Sequence, residues 1–151
     1  MAFISDRDRQ QIRDHFEKNL RGPLEVVLFT VPESLIFIPG KQSCQTCGET
    51  QELLEELTSL SDKLALTVHD LTTSRDEAES LGIDRVPAFV LKGAARGQVR
   101  FFGIPSGYEF SAFIDDVVDT ANGSTGLSRE TRDHLALLTE DINLKVFTTP
   151  N

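Results

Sequence analysis

The only two cysteines of the chain lie three residues apart, in Cys44-Gln45-Thr46-Cys47. A leucine-rich segment follows them, and its apolar side chains recur at helical spacing. We therefore predict a helix that begins at the cysteines, with Ser43 as its cap. With so few cysteines, a secreted framework of several disulfides is excluded.

The predicted helix gives the two cysteines unequal surroundings. Cys44 would lie in the first turn, where unpaired N–H groups and the positive end of the helix dipole lower the pKa of a thiol. Cys47 would lie one turn further in, pointing toward the core and less exposed. This asymmetry suits thiol–disulfide exchange, in which an exposed thiolate attacks a disulfide and a sheltered thiol resolves the product.

Three other interpretations of the cysteine pair remain open at this point. Half of a zinc site is one, although zinc needs four ligands and a second cysteine pair is absent. An iron–sulfur cluster bridged between two chains is another, and an incidental pair of small buried residues is the third. The histidines show no paired ligand spacing: His15, His69 and His134.

The net charge of the chain limits the classes of partner that it can bind. With 15 basic and 24 acidic residues the net charge is −9, which argues against nucleic acid and against an anionic membrane surface. No apolar run approaches the roughly 20 residues of a membrane helix. The first 13 residues are charged throughout and lack the apolar core of a signal peptide. We therefore expect a cytoplasmic protein.

Apolar periodicity, caps and turn residues predict the order of elements along the chain. Besides the helix at the cysteines, helices are predicted at residues 5–20, 74–81, 108–121 and 128–138. The helix at 74–81 begins with a capping-box pattern at Ser74. Strands are predicted at residues 24–30, 64–68, 88–91, 99–102 and 144–148. The apolar run at residues 35–38 is either a further strand or part of a hairpin.

This order resembles the thioredoxin fold, an α/β fold with a central mixed β-sheet flanked by helices. Residues 53–62, 83–88 and 99–110 more closely resemble the N-terminal unit of the glutaredoxin-like protein disulfide oxidoreductases. Those proteins carry two thioredoxin-fold units in tandem. The segment at residues 31–43 is longer than the usual connection to the CxxC motif, which suggests an insertion beside the site.

The resemblance implies roles for four residues. Cys44 would be the attacking cysteine and Cys47 the resolving cysteine. Pro87 would be a cis proline that lies against them, and the backbone of Val86 would pair with an extended substrate segment. The implied activity is disulfide exchange with protein substrates, with electrons from a flavoprotein resembling thioredoxin reductase and without a bound cofactor or metal. The rival hypothesis is a redox-inert thioredoxin-like module that binds a partner through Val86 and residues 35–38.

The C-terminal part of the chain is predicted to be separate. Residues 1–121 would form the thioredoxin-like domain and residues 122–127 a linker. Residues 128–151 resemble the start of a second unit, since Phe-Thr-x-Pro at residues 147–150 repeats residues 29–32. One helix and one strand cannot bury both apolar faces alone, so we expect this segment to dock on the domain or to form a homodimer.

Overall fold

The computed structural model describes residues 3–32 and 44–147, which form a mixed four-stranded sheet flanked by helices. In chain order the elements are α1 (Asp6–Asn19), β1 (Leu24–Thr30), α2 (Cys47–Thr58), β2 (Leu64–Asp70), α3 (Arg75–Ser80), β3 (Ala88–Lys92), β4 (Val99–Phe102), α4 (Tyr108–Asn122) and α5 (Arg129–Ala136). The predicted α/β class is confirmed.

Strand β1 lies inside the sheet, whose strand order is β2-β1-β3-β4. It pairs in parallel with β2 and antiparallel with β3, and β3 pairs antiparallel with β4. The register places Thr30 opposite Asp70 and Phe29 opposite Ala88. The carboxyl ends of β1 and β2 and the amino end of β3 therefore meet at one edge of the sheet.

The two faces of the sheet carry separate apolar clusters. The larger cluster packs α1, α2 and α4 against one face, with Phe16, Leu54 and Phe113 among its buried members. The smaller cluster lies on the other face beneath the short helix α3, around Phe29 and Val90. The period-2 alternation of side chains along β1 supplies both clusters, because this strand is apolar on both faces.

Side-chain hydrogen bonds fix the helices of the larger face to one another. The Asn122 side chain at the end of α4 accepts from the Arg21 backbone N–H at 2.8 Å and donates to the Asn19 carbonyl at 2.9 Å. The Glu56 carboxylate on α2 binds the Arg9 guanidinium of α1 at 3.1 Å. Helix α2, which begins at Cys47, is thus held through both its apolar face and this ion pair.

The chain beyond α4 is unpacked in the described residues. Gly123 ends α4 in the left-handed conformation at φ 63°, and every residue from 123 to 147 is exposed. Helix α5 forms with Ser128 as its cap, close to the predicted bounds. Its single leucine, Leu135, is exposed and belongs to neither apolar cluster.

Two local predictions are wrong. Residues 144–147 are not a strand, because a strand needs a partner and none of the described residues pairs with them. Ser74 makes no cap hydrogen bond, since its backbone at φ −114° and ψ 39° is not extended. The predictions for residues 35–38 and for Ser43 fall outside the described residues.

Candidate active site at the cysteine pair

The two cysteines are joined to each other at the amino end of α2. Their Sγ atoms form a disulfide, with Cα atoms 5.5 Å apart. Cys47 is 1% exposed and Cys44 is half-buried. The order of exposure agrees with the sequence prediction, and the assigned roles of attacking and resolving cysteine stay predictions.

The start of α2 differs from the prediction. The helix begins at Cys47, with Thr46 as its N-cap, so Cys44 precedes the helix rather than occupying its first turn. The reason lies in Thr46, whose carbonyl accepts from the backbone N–H of Thr50 at 2.9 Å and from its hydroxyl at 2.6 Å. The helix dipole consequently acts on Cys44 from just beyond the helix end, where its effect is weaker than within the first turn.

The segment around Val86 and Pro87 lies at the same edge of the sheet as the end of β1. The Val86–Pro87 peptide bond is cis. Because Phe29 lies opposite Ala88, Pro87 falls at the level of Thr30, the last residue of β1. The Pro87 carbonyl accepts from the Gly103 N–H at 2.8 Å. Pro87 is buried and Val86 is half-buried.

The chain is similar in structure to several proteins of known structure. The chain is similar to a protein disulfide oxidoreductase from Aeropyrum pernix, at 25% identity and a TM-score of 0.71, over 89% of this chain and 55% of that one. It is also similar to the alkylhydroperoxide reductase protein AhpF from Enterococcus faecalis, at 24% identity and a TM-score of 0.74, over 91% of this chain and 62% of that one. The N-terminal domain of AhpF, as a separate structure, matches at 24% identity and a TM-score of 0.72, over 88% of this chain and 60% of that one.

The fold is thioredoxin-like. The chain spans between 55% and 62% of the length of these structures. No model of a known protein family matches the sequence, and no curated protein does.

A third group of residues at this edge of the sheet was not predicted from the sequence. Arg85 forms two hydrogen bonds with the Asp84 carboxylate, at 2.9 and 3.2 Å, and its guanidinium lies 5.3 Å from the centre of the Phe102 ring. The hydrogen bonds from Arg85 lower the pKa of Asp84. Phe102 is 42% exposed. Only the sheet register, which places Phe102 opposite Ala88, brings it to this edge.

The described residues form no candidate metal site. No group of three or more His, Cys, Asp or Glu side chains within residues 3–32 and 44–147 is arranged to hold a metal ion. His69 stacks on Phe29 at 5.3 Å, and His15 lies 3.9 Å from Asp115. None of the helices in these ranges combines the length and apolarity needed to cross a bilayer.

Proposed function

We propose that this chain is a thiol–disulfide oxidoreductase domain that exchanges disulfides with protein substrates through Cys44 and Cys47. The observation that carries the proposal is the disulfide itself, formed between a half-buried and a buried cysteine at the start of α2. The similarity to the disulfide oxidoreductase of Aeropyrum pernix supports the same activity. A redox-inert binding module has no use for such a pair and is the weaker candidate.

The exchange transfers two electrons. In the reduced protein, the Cys44 thiolate attacks one sulfur of a substrate disulfide, and the other substrate sulfur leaves as a thiolate that takes up a proton. Cys47 then loses its proton, its thiolate attacks the Cys44 sulfur, and the second substrate sulfur leaves as a thiolate that takes up a proton. One S–S bond is broken in the substrate and one forms between Cys44 and Cys47, so the substrate is reduced and this chain is oxidised.

The segment that carries Val86 and Pro87 is proposed to bind the substrate. Where the polypeptide beside the attacked sulfur is extended, it can pair with the backbone groups of Val86. The position of Pro87 level with the end of β1 supports this role. The proposed partners are protein disulfides and a flavoprotein electron donor, and the proposed compartment is the reducing cytoplasm.

The division of the chain is also a proposal. We place the thioredoxin-like domain at residues 1–121, the linker at 122–127 and the start of a second unit at 128–151. The uniform exposure of residues 123–147 supports a boundary at the end of α4, one residue later than proposed, because Asn122 still belongs to that helix.

Reduction of insulin by dithiothreitol tests the activity. The unmodified protein is expected to accelerate it, whereas Cys44→Ser abolishes the acceleration. Cys47→Ser is expected to accumulate a mixed disulfide with the substrate, visible on a non-reducing gel, because the resolving thiol is missing. Protein alkylated with iodoacetamide after reduction is the control. An unmodified protein with no effect on the rate contradicts the proposal, and mixed disulfides formed by Cys44→Ser instead reverse the two roles.

A further inference from the structure

A groove of about 570 Å³ reaches the start of α2, where Gly48, the residue after Cys47 of the disulfide, lines it. One wall is the face of α2 that presents Gly48, Glu52 and Glu55, and Gly48 directly follows Cys47. These residues lie on successive turns, so the groove extends from the start of α2 along the helix.

The opposite wall consists of the carboxyl ends of β1 and β2. Val31 and Pro32 line it after β1, and Val68 and Asp70 line it on β2. Val68 is 40% exposed, although its register partner Leu28 is fully buried. The Asp70 carboxylate accepts from the backbone N–H and the hydroxyl of Thr72, at 2.8 and 2.7 Å. The groove therefore combines apolar surface with carboxylates from both walls.

Among the described residues, no cationic side chain neutralises the carboxylates of the helical wall that line the groove. Helix α2 contains four glutamates and neither lysine nor arginine. Among the described residues only Glu56 of these four has a cationic partner, Arg9. Glu55 accepts a hydrogen bond from the neutral Gln51 at 2.8 Å. A cationic side chain of another molecule would thus meet two carboxylates, Glu52 and Glu55, for which residues 3–32 and 44–147 supply no cation.

We propose that this groove binds a basic segment of the protein whose disulfide is exchanged, with lysine or arginine close in sequence to the attacked cysteine. The proposal rests on the proposed function, because exchange requires the partner sulfur to reach Cys44. The part of the substrate polypeptide that does not pair with Val86 can then lie along the surface next to Cys47, where the groove begins. Lysine and arginine fit it because their apolar stems pack on Val31 and Val68 while their charged ends meet the carboxylates. Such complementarity raises the rate of encounter more than the affinity.

The test compares two synthetic peptides that contain the same disulfide, flanked by lysines in one and by glutamates in the other. The reduced protein reacts with each peptide, and each rate is divided by the rate with the neutral hydroxyethyl disulfide. The site variant is Glu52→Gln/Glu55→Gln. The control variant is Glu17→Gln/Glu130→Gln, which removes the same charge from exposed positions on α1 and α5. The preference is the rate with the lysine peptide divided by the rate with the glutamate peptide. The two peptides differ in intrinsic reactivity, and this difference cancels when the preferences of two variants are compared.

The unmodified and control proteins are expected to prefer the lysine peptide at low ionic strength. In the site variant this preference should fall about threefold for each carboxylate removed. That is the effect of losing one attraction between unit charges roughly 6 Å apart in water. The preference should fade at about 0.5 M salt, where screening acts over only a few ångströms.

The outcomes separate the two proposals. Equal rates with both peptides, or equal losses in the site and control variants, overturn the docking proposal alone, provided that hydroxyethyl disulfide is reduced. A reduced protein that reacts with neither the peptides nor hydroxyethyl disulfide overturns the proposed function and the docking proposal together.

Discussion

Helices α1 and α5 have the same kind of N-terminal cap but differ in how far they are buried. In α1 the Ser5 hydroxyl accepts from the Asp8 N–H at 3.2 Å, and in α5 the Ser128 hydroxyl accepts from the Thr131 N–H at 3.1 Å. Helix α1 buries Ile12 and Phe16, whereas α5 buries nothing. Both helices therefore start with an equivalent cap. Only α1 also packs on a partner surface, and this packing makes it part of the cooperative fold.

The largest difference between the two helices is expected when one apolar side chain is removed from each. Phe16→Ala is expected to lower the free energy of unfolding by about 3–5 kcal/mol, because Phe16 is 1% exposed in the larger core. Leu135→Ala, at a position 49% exposed, should change it by no more than about 0.5 kcal/mol in dilute solution. Urea unfolding measures both. If Phe16→Ala does not fold, Ile12→Val replaces it, with an expected loss of about 0.5–1.5 kcal/mol.

The second test breaks a contact that α1 has and α5 lacks. Asn122→Ala should cost about 1–3 kcal/mol, because it leaves the Arg21 N–H and the Asn19 carbonyl without their partner. Asn122→Asp is the matched variant, since it keeps the acceptor and loses the donor, and it should retain part of the stability. Thermal unfolding measures the difference. Full stability in Asn122→Ala would mean that core packing alone fixes α1 on α4.

The third test removes the caps themselves. Ser5→Ala and Ser128→Ala each remove one cap hydrogen bond, worth about 1 kcal/mol to its helix. We expect Ser5→Ala to lower global stability by this amount and Ser128→Ala to leave it unchanged, because α5 buries none of its residues. Amide exchange should show faster exchange in α5 only in the second variant. A loss of global stability in Ser128→Ala would contradict the independence of α5.

A smaller effect concerns charge on a packed helix. Burial, with the charges of Asp119 and Asp115, raises the pKa of Asp116 on α4. The folded state therefore holds this proton more tightly than the unfolded chain, and its stability falls as the pH rises above the ordinary value of 3.8. Asp116→Asn should raise stability at neutral pH and flatten this fall. Asp133→Asn on α5 is the control, and an equal gain there would contradict a local cause.

The smallest expected change in stability comes from removing the unpacked region. A chain that ends at Ser124 keeps Asn122 and the end of α4, and should unfold at the same urea concentration as the full chain. The full chain is expected to associate through its exposed apolar residues, whereas the shortened chain stays monomeric in sedimentation. The exposed residues include Leu135, Leu138, Ile142 and Phe147. If both chains are monomers, the predicted homodimer is wrong.

Local pattern predicted most of the fold and part of the site. The apolar run from Leu24 to Thr30 and the spacing of Ile12 and Phe16 were sufficient for β1 and α1. The CxxC spacing pointed to the disulfide. Local pattern misplaced the start of α2 by assigning Cys44 to its first turn. Helix starts are hard to predict because neighbouring residues can each accept the first hydrogen bond, and here Thr46 does so.

The sequence by itself determined which segments are helical, which strands are apolar on both faces, and that the two cysteines lie three residues apart. These properties depend on residues a few positions apart, whose propensities and periods act locally. The tertiary structure alone decided that Phe102 lies beneath Arg85, that α2 and β2 enclose an acidic groove, and that residues 144–147 are not a strand. Each of these depends on which distant segment lies opposite, and strand pairing and burial exist only once such a partner is in place.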